Sequence, residues 1–307
     1  MNFRKNSDSK ITKKQLRILR RKLYRHVHVL SDEIGSRNLS HYECLNKAAQ
    51  YISDEMKSVD GNFSTQDYIC DKKEVANLLF EKTGNTYPDE ILIIGAHYDT
   101  IQESPGADDN ATGIAALLEL IHLVHDYPNS RTLRFVAFTL EEPPYFGSEM
   151  MGSRFYAKHC FEKQENIVGM IAFEMLGYFS EKTKSQKYPI SSMTQKFPNT
   201  GDFLAVLGNN QSEQLSKKIT LFMRETSLLE IGSFIPYSYI PGNDLSDHSS
   251  FWIYNYPAVM ITDTAFYRNP HYHEITDTID KLNFRYFAKA VFSMVHMLKK
   301  LDLVEEI

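Results

Sequence analysis

Imidazoles and carboxylates recur in this sequence just after short apolar runs. His97 and Asp99 follow the run ILII at 91–94, and the acidic pair Asp108-Asp109 comes soon after. Glu141 and Glu142 follow RFVAFTL, Glu174 closes IVGMIAF, and His271, His273 and Asp277 follow AVMIT at 258–262. One strand ending in a carboxylate is ordinary. Three neighbouring strands doing so gather negative charge at one sheet edge, where repulsion and desolvation are costly without a cation. A divalent metal removes that cost. Ligands limited to His and carboxylate suit zinc, manganese or cobalt rather than a thiolate-bound structural zinc.

Hydrophobic periodicity gives the elements that must position these residues. The β-branched run at 91–94 reads as a buried strand. Pro105 and Gly106 then mark a turn, and Ile114, Leu117, Leu118 and Ile121 fall on one face of a helix over about 109–126. A strand end and a helix start therefore bring His97 and Asp109 together, at the carboxyl edge where open α/β sheets bind ligands. Further strands are expected at 63–71, 75–81, 132–140, 167–175, 203–208 and 258–262. Helices are expected at 14–34, 40–58, 147–159, 211–228 and 282–302. Ser40 with Glu43 matches a capping box for the second of these helices. Segments 177–201 and 232–246 read as loops, and aromatic residues in 176–190 and 234–240 are candidates to wall a substrate pocket. Strands alternating with helices predict an α/β fold, a three-layer α/β/α sandwich around a mixed, mainly parallel sheet.

The chain has 307 residues, 42% hydrophobic and 24% charged, with a net charge of −5. This suits a soluble globular protein with a sizeable core and argues against nucleic acid as a partner. Cys44, Cys70 and Cys160 are scattered without a CxxC spacing, which favours a reducing compartment over a disulfide framework. The first 25 residues are basic, and arginine and lysine interrupt every apolar stretch there. No signal peptide or membrane span is therefore expected, the localisation reads as cytoplasmic, and the basic stretch reads as a solvated helix face. Residues 1–12 are expected to be disordered and 13–307 to form one domain.

The segments GAHYDT, PGADDNATG, LEEPPYFGS, AFEMLGYFS, SDHSSF and NPHYHEITDT together resemble the zinc aminopeptidase family that includes bacterial leucyl aminopeptidases. Glutamate carboxypeptidases, glutaminyl cyclases and the transferrin receptor ectodomain are more distant relatives. The resemblance spans about residues 90–285. It implies a zinc exopeptidase-like fold and two divalent metal ions, Zn2+ first, with Co2+ or Mn2+ as alternatives. It implies that His97 and Glu174 hold one metal, Glu142 and His273 the other, and that Asp109 bridges both. Glu141 is then the general base for attack of a metal-bridging hydroxide on the N-terminal peptide bond of a peptide substrate.

The resemblance also makes the Asp109–Asn110 bond cis. Asp99, two residues from His97, is placed to accept the imidazole N–H, and Asp247 and His248 are expected as supporting groups. The other histidines (His26, His28, His41, His122, His125, His159 and His296) are expected on the surface or on helix faces. The chain departs from the family pattern twice. Glu174 stands where most relatives carry aspartate, one methylene shorter. Asn243 stands where the leucyl enzymes carry an oxyanion-stabilising tyrosine, a part open to Tyr237, Tyr239 or Asn243 itself. Two other readings remain in view: a single-zinc acyltransferase like the glutaminyl cyclases, and a non-catalytic binding relative. Intact ligand positions favour the two-metal hydrolase over both.

Overall fold

A computed structural model describes residues 11–235, 240–305 and 307 of the protein. The strands are β1 (Asn62–Cys70), β2 (Lys73–Lys82), β3 (Tyr87–His97), β4 (Arg131–Phe138), β5 (Ile167–Glu174), β6 (Phe203–Gly208), β7 (Glu230–Phe234) and β8 (Ala258–Thr262). They form one sheet in the order β1-β2-β4-β3-β5-β8-β6-β7. The central strands β4, β3, β5 and β8 run parallel, while β1, β2 and β6 join by antiparallel pairing and β7 runs parallel to β6. The sheet is thus mixed, with its parallel strands at the centre. Those strands are also the ones whose carboxyl ends carry His97, Glu141-Glu142 and Glu174.

The two-residue period of the central strands divides the core. Leu92, Ile94 and Ala96 pack on one face of the sheet, under α1 (Lys13–His28), α2 (Tyr42–Lys57), α3 (Gly113–Val124), α5 (Glu213–Arg224) and α7 (Phe284–Leu301). Ile91 and Ile93 face the other way, with Val136, Phe138, Tyr156 and Phe251, under α4 (Gly152–Glu162) and the short α6 (His248–Trp252). This is the expected three-layer arrangement. On α1, Leu19, Leu23 and Val27 are buried while Lys13, Lys14, Arg17, Arg20, Arg21 and Arg25 face solvent, so the basic stretch is a solvated helix face.

Several local expectations need correction. The expected disorder over 1–10 lies outside the described residues, and Thr12 caps α1 in a capping box with Gln15. Ser40 does not cap α2; the helix starts after His41, whose N–H is taken by the Asn38 side chain at 3.1 Å. Asn38 reaches that N–H from outside the helix, so a capping box is not needed there. The loop expected at 232–246 begins as strand, because β7 adds to the sheet edge beside β6. His26 is fully buried rather than on the surface, between the Tyr51 hydroxyl (2.7 Å) and Glu119 (3.1 Å).

Candidate metal centre

Asp109 is carried by a turn, residues 107–112, whose polar groups are tied down on every side. Gly106 enters it at φ +60°, where a side chain would meet the Asp109 carbonyl oxygen at 2.4 Å. The Asp277 carboxylate accepts the backbone N–H of both Asp108 (3.0 Å) and Asp109 (3.0 Å). Asn110 bridges to β5, donating to the Phe173 carbonyl at 2.8 Å and accepting from Met175 at 3.1 Å. The Asp109–Asn110 bond is cis. Beneath the turn, the buried Arg37 guanidinium donates to the carbonyls of Tyr98 (2.7 Å), Pro105 (2.7 Å) and Gly106 (2.9 Å). Leu140 (φ 55°), Met175 (φ 48°) and His273 (φ 60°) adopt left-handed backbone next to or at the site. Such positions are uncommon for residues other than glycine and gather where a fold holds functional groups in place.

These elements bring His97, Asp109, Glu141, Glu142, Glu174 and His273 to one place. One Asp109 oxygen lies 3.3 Å from His97 Nε2, and the other lies 3.3 Å from His273 Nε2. Glu174 Oε2 is 3.3 Å from His97 Nε2, and Glu142 Oε2 is 3.1 Å from His273 Nε2. Three groups of ligand-type atoms result: His97-Asp109-Glu174 and Asp109-Glu142-His273, which share Asp109, and His97-Glu141-Glu142, which joins Glu141 to the cluster. Glu141 stands further back, 4.0 Å from His97 Nε2. The second oxygen of Glu142 takes the Ile101 N–H at 3.1 Å, and Ser246 donates to Glu174 at 2.7 Å. The longer Glu174 side chain therefore still reaches the cluster.

The charges do not balance within the protein. Burial, reinforced by the neighbouring Asp109, pushes the Glu142 carboxyl up to about 7 against the pull of His273. Burial also raises Glu141 and Glu174, opposed by His97. Asp109 goes the other way: its bonds to His273 and His97 outweigh burial and hold it below the usual carboxylate range. His273 is raised to about 10, because its contacts with Asp109 and Glu142 outweigh burial. Raised carboxyls beside raised imidazoles mean that acidic groups outnumber basic ones in this buried site.

The supporting residues differ in part from expectation. The Asp99 carboxylate faces the His97 ring but is not its nearer acceptor. His97 Nδ1 lies 3.2 Å from the Asp99 backbone carbonyl and 3.6 Å from its carboxylate, whose oxygens take the N–H groups of Glu141 (3.0 Å) and Glu142 (3.1 Å). Buried backbone donors just beyond β4 claim the carboxylate, which thereby fixes the turn of both glutamates. Asp247 is fully buried; neither oxygen has a hydrogen-bond partner among the described residues, and Ser153 lies near without bonding geometry. His248 is buried and donates to the Asn243 carbonyl at 2.8 Å, and burial lowers it to about 4. His271 turns away to Thr276 at 2.8 Å.

A cleft of about 180 Å³ opens over Asp109, Glu141, Glu142, Glu174 and His273. Its walls are largely apolar, including Phe146, Tyr188, Phe197, Phe234, Phe266 and Tyr272. Tyr188 and Phe234 come from the two aromatic segments expected to wall a pocket. Tyr237 and Tyr239 lie outside the described residues.

Residues 77–297 match the family model described as peptidase family M28. The chain belongs to that family. It is 36% identical over 280 residues to YfbL, an uncharacterized protein of Escherichia coli (strain K12), covering 89% of this chain and 85% of that one. It is 24% identical over 227 residues to the probable aminopeptidase YDR415C of Saccharomyces cerevisiae, covering 69% of this chain and 54% of the relative. The fold superposes on the zinc aminopeptidase BSAP of Bacillus subtilis with a TM-score of 0.74 at 14% identity, over 91% of this chain and 94% of the other. This M28 peptidase also carries groups that sequence reasoning missed. Ser246 sat unread inside the SDH motif. Arg37 gave no signal, because a lone arginine after a helix looks ordinary.

Proposed function

We propose that this M28 peptidase is a two-zinc aminopeptidase, with residues 13–307 as its catalytic domain. The observation that carries the reading is the pair of triads sharing Asp109. Ligand atoms about 2.1 Å from a tetrahedral zinc sit roughly 3.4 Å from one another. The nitrogen-to-oxygen spacings of 3.1 to 3.3 Å in both triads fit that geometry. On this reading His97 and Glu174 hold one ion, Glu142 and His273 the other, and Asp109 gives one oxygen to each. Bound there, divalent cations supply a Lewis acid for the scissile carbonyl and acidify a water.

The chain does the rest. Glu141, buried in the cleft but outside both shared-Asp109 triads, takes the water's proton on its carboxylate and later passes it to the leaving amine. Asp99 fixes the turn that separates Glu141 from Glu142. Asp277 and Arg37 hold the Asp109 turn, and the apolar walls of the cleft exclude water and receive an apolar first side chain of a peptide. Three free cysteines suit a reducing compartment. Among the described residues no helix is long and apolar enough to cross a membrane.

The test is a panel of aminoacyl-nitroanilides, N-blocked peptides and N-terminal glutamine peptides on metal-replete protein, with metal measured on the same sample. Cleavage confined to free-amino substrates with two zinc ions per chain is expected. One zinc per chain with a cyclised glutamine product would replace this reading with the single-zinc cyclase.

A further inference from the structure

We propose that Asn243 is a specificity-determining residue that accepts a hydrogen bond from an N–H of the substrate's first residue, its free amine above all. This rests on the aminopeptidase reading. Asn243 lines the same cleft as Asp109, Glu141, Glu142 and Glu174 and is 8% exposed. Three of its four polar groups are committed to the protein. Its backbone N–H donates to Ile240 at 3.1 Å, its backbone carbonyl accepts from His248 Nε2 at 2.8 Å, and its Nδ2 donates to the Gly208 carbonyl at 3.2 Å. Oδ1 is buried with no partner. Among the described cleft-lining side chains it is the only buried polar atom in that state.

The orientation of the amide is fixed by its neighbours. Turning it over would set Oδ1 against the Gly208 carbonyl, acceptor facing acceptor, and lose the bond that Nδ2 makes. The free group is therefore an acceptor. Buried acceptors are rarely left unmet in native proteins, so a donor is expected from outside. No described group of the protein donates to Asn243 Oδ1, whereas a ligand entering the cleft can. The main chain of a peptide brings donors only on nitrogen, and its amino terminus carries the most.

Leucine hydroxamate and 4-methylpentanohydroxamate differ only in the α-amino group, and the ratio of their inhibition constants reads the contact directly. The wild-type protein should favour the amino compound, and Asn243→Leu should cut that preference about tenfold, the scale of one hydrogen bond to a charged group. Asn243→Ser, a smaller change for the fold, should cut it similarly. Asn243→Asp, which keeps the acceptor, should retain it, and metal content should not change in any variant. A preference that survives in both the Leu and Ser variants overturns the inference, as does an equal loss of affinity for both inhibitors. A wild-type protein that cleaves free-amino substrates while the variants keep the preference sinks the role of Asn243 alone. A wild-type protein with neither cleavage nor preference sinks the aminopeptidase reading with it.

Discussion

Two places in this molecule bury histidine against carboxylate, and they solve the electrostatic problem differently. Between α1, α2 and α3, Glu119 is met by His26 Nε2 at 3.1 Å and by Lys22 at 3.2 Å, while Tyr51 holds the other side of the His26 ring. One carboxylate faces one fixed cation and one titratable ring. His26 and Lys22 outweigh burial and hold Glu119 below its usual range. At the sheet edge, His97 and His273 face Asp109, Glu141, Glu142 and Glu174, and most of those carboxyls are pushed up. The first cluster is complete as it stands and ties helices together. The second is an acceptor set waiting for positive charge. Burial and residue type alone do not separate structural from functional clusters; the sign of the unmet charge does.

Asp109→Ala should break the contrast most severely, because it removes the one residue that both Asp109-containing triads share. Zinc content should fall to trace levels, and activity should drop by more than about 10⁴, beyond what loss of a general base alone explains. Retained stoichiometric metal would refute the shared-ligand assignment. Glu141→Gln should leave metal in place and lower turnover by roughly 10² to 10⁴. Metal lost together with activity in that variant would mean that Glu141 is a ligand. In the helix-layer cluster the outcome should invert. Glu119→Leu should cost about 1–3 kcal/mol of stability, since it leaves the buried His26 Nε2 without its partner while Lys22 can reach water. Denaturant melts should record that loss while kcat and metal content stay at wild-type values.

The contrast also explains what was legible in the sequence. The central strands could be read from uninterrupted β-branched runs, and strand ends are where polar side chains must leave the sheet, so His97, Glu141, Glu142 and Glu174 announced themselves. His273 was separable from His271 only through its spacing to the following ITDT segment. What stayed hidden depends on contacts distant in sequence. His26 sits on a basic helix face in the sequence, and only the packing of α2 and α3 buries it. Asp277 reads as another ligand type, yet it serves the backbone N–H groups of Asp108 and Asp109. Arg37 stands 72 residues before Asp109 in the numbering and meets its turn through carbonyl groups, which no side-chain pattern records.

The smallest effect expected is a pH slope of opposite sign for the two clusters, visible once metal is stripped. Glu119 has a depressed folded-state value, so its stabilisation is present above the unfolded carboxyl value of about 4.3 and is lost as pH falls through the folded one. Glu142 is raised to about 7, so the folded metal-free protein keeps a proton there that the unfolded chain has released. Stability then falls as pH climbs from about 4.3 towards 7. Burial raises Asp247 to about 7 and Asp277 to about 8, which gives the same sign. His248, lowered to about 4, pulls the other way up to about 6.5, one group against these three carboxyls. His273, raised to about 10, stabilises fully below about 6.5 and loses that contribution above it, in the same direction as the carboxyls. Chelated protein should therefore melt at progressively lower temperature between pH 5 and pH 8, and zinc should flatten or reverse that trend. Glu119→Gln should leave this alkaline-side slope intact and weaken only the loss of stability below about pH 4.3. A chelated protein whose melting temperature rises from pH 5 to pH 8 would show that the sheet-edge cluster balances its own charge and needs no cation.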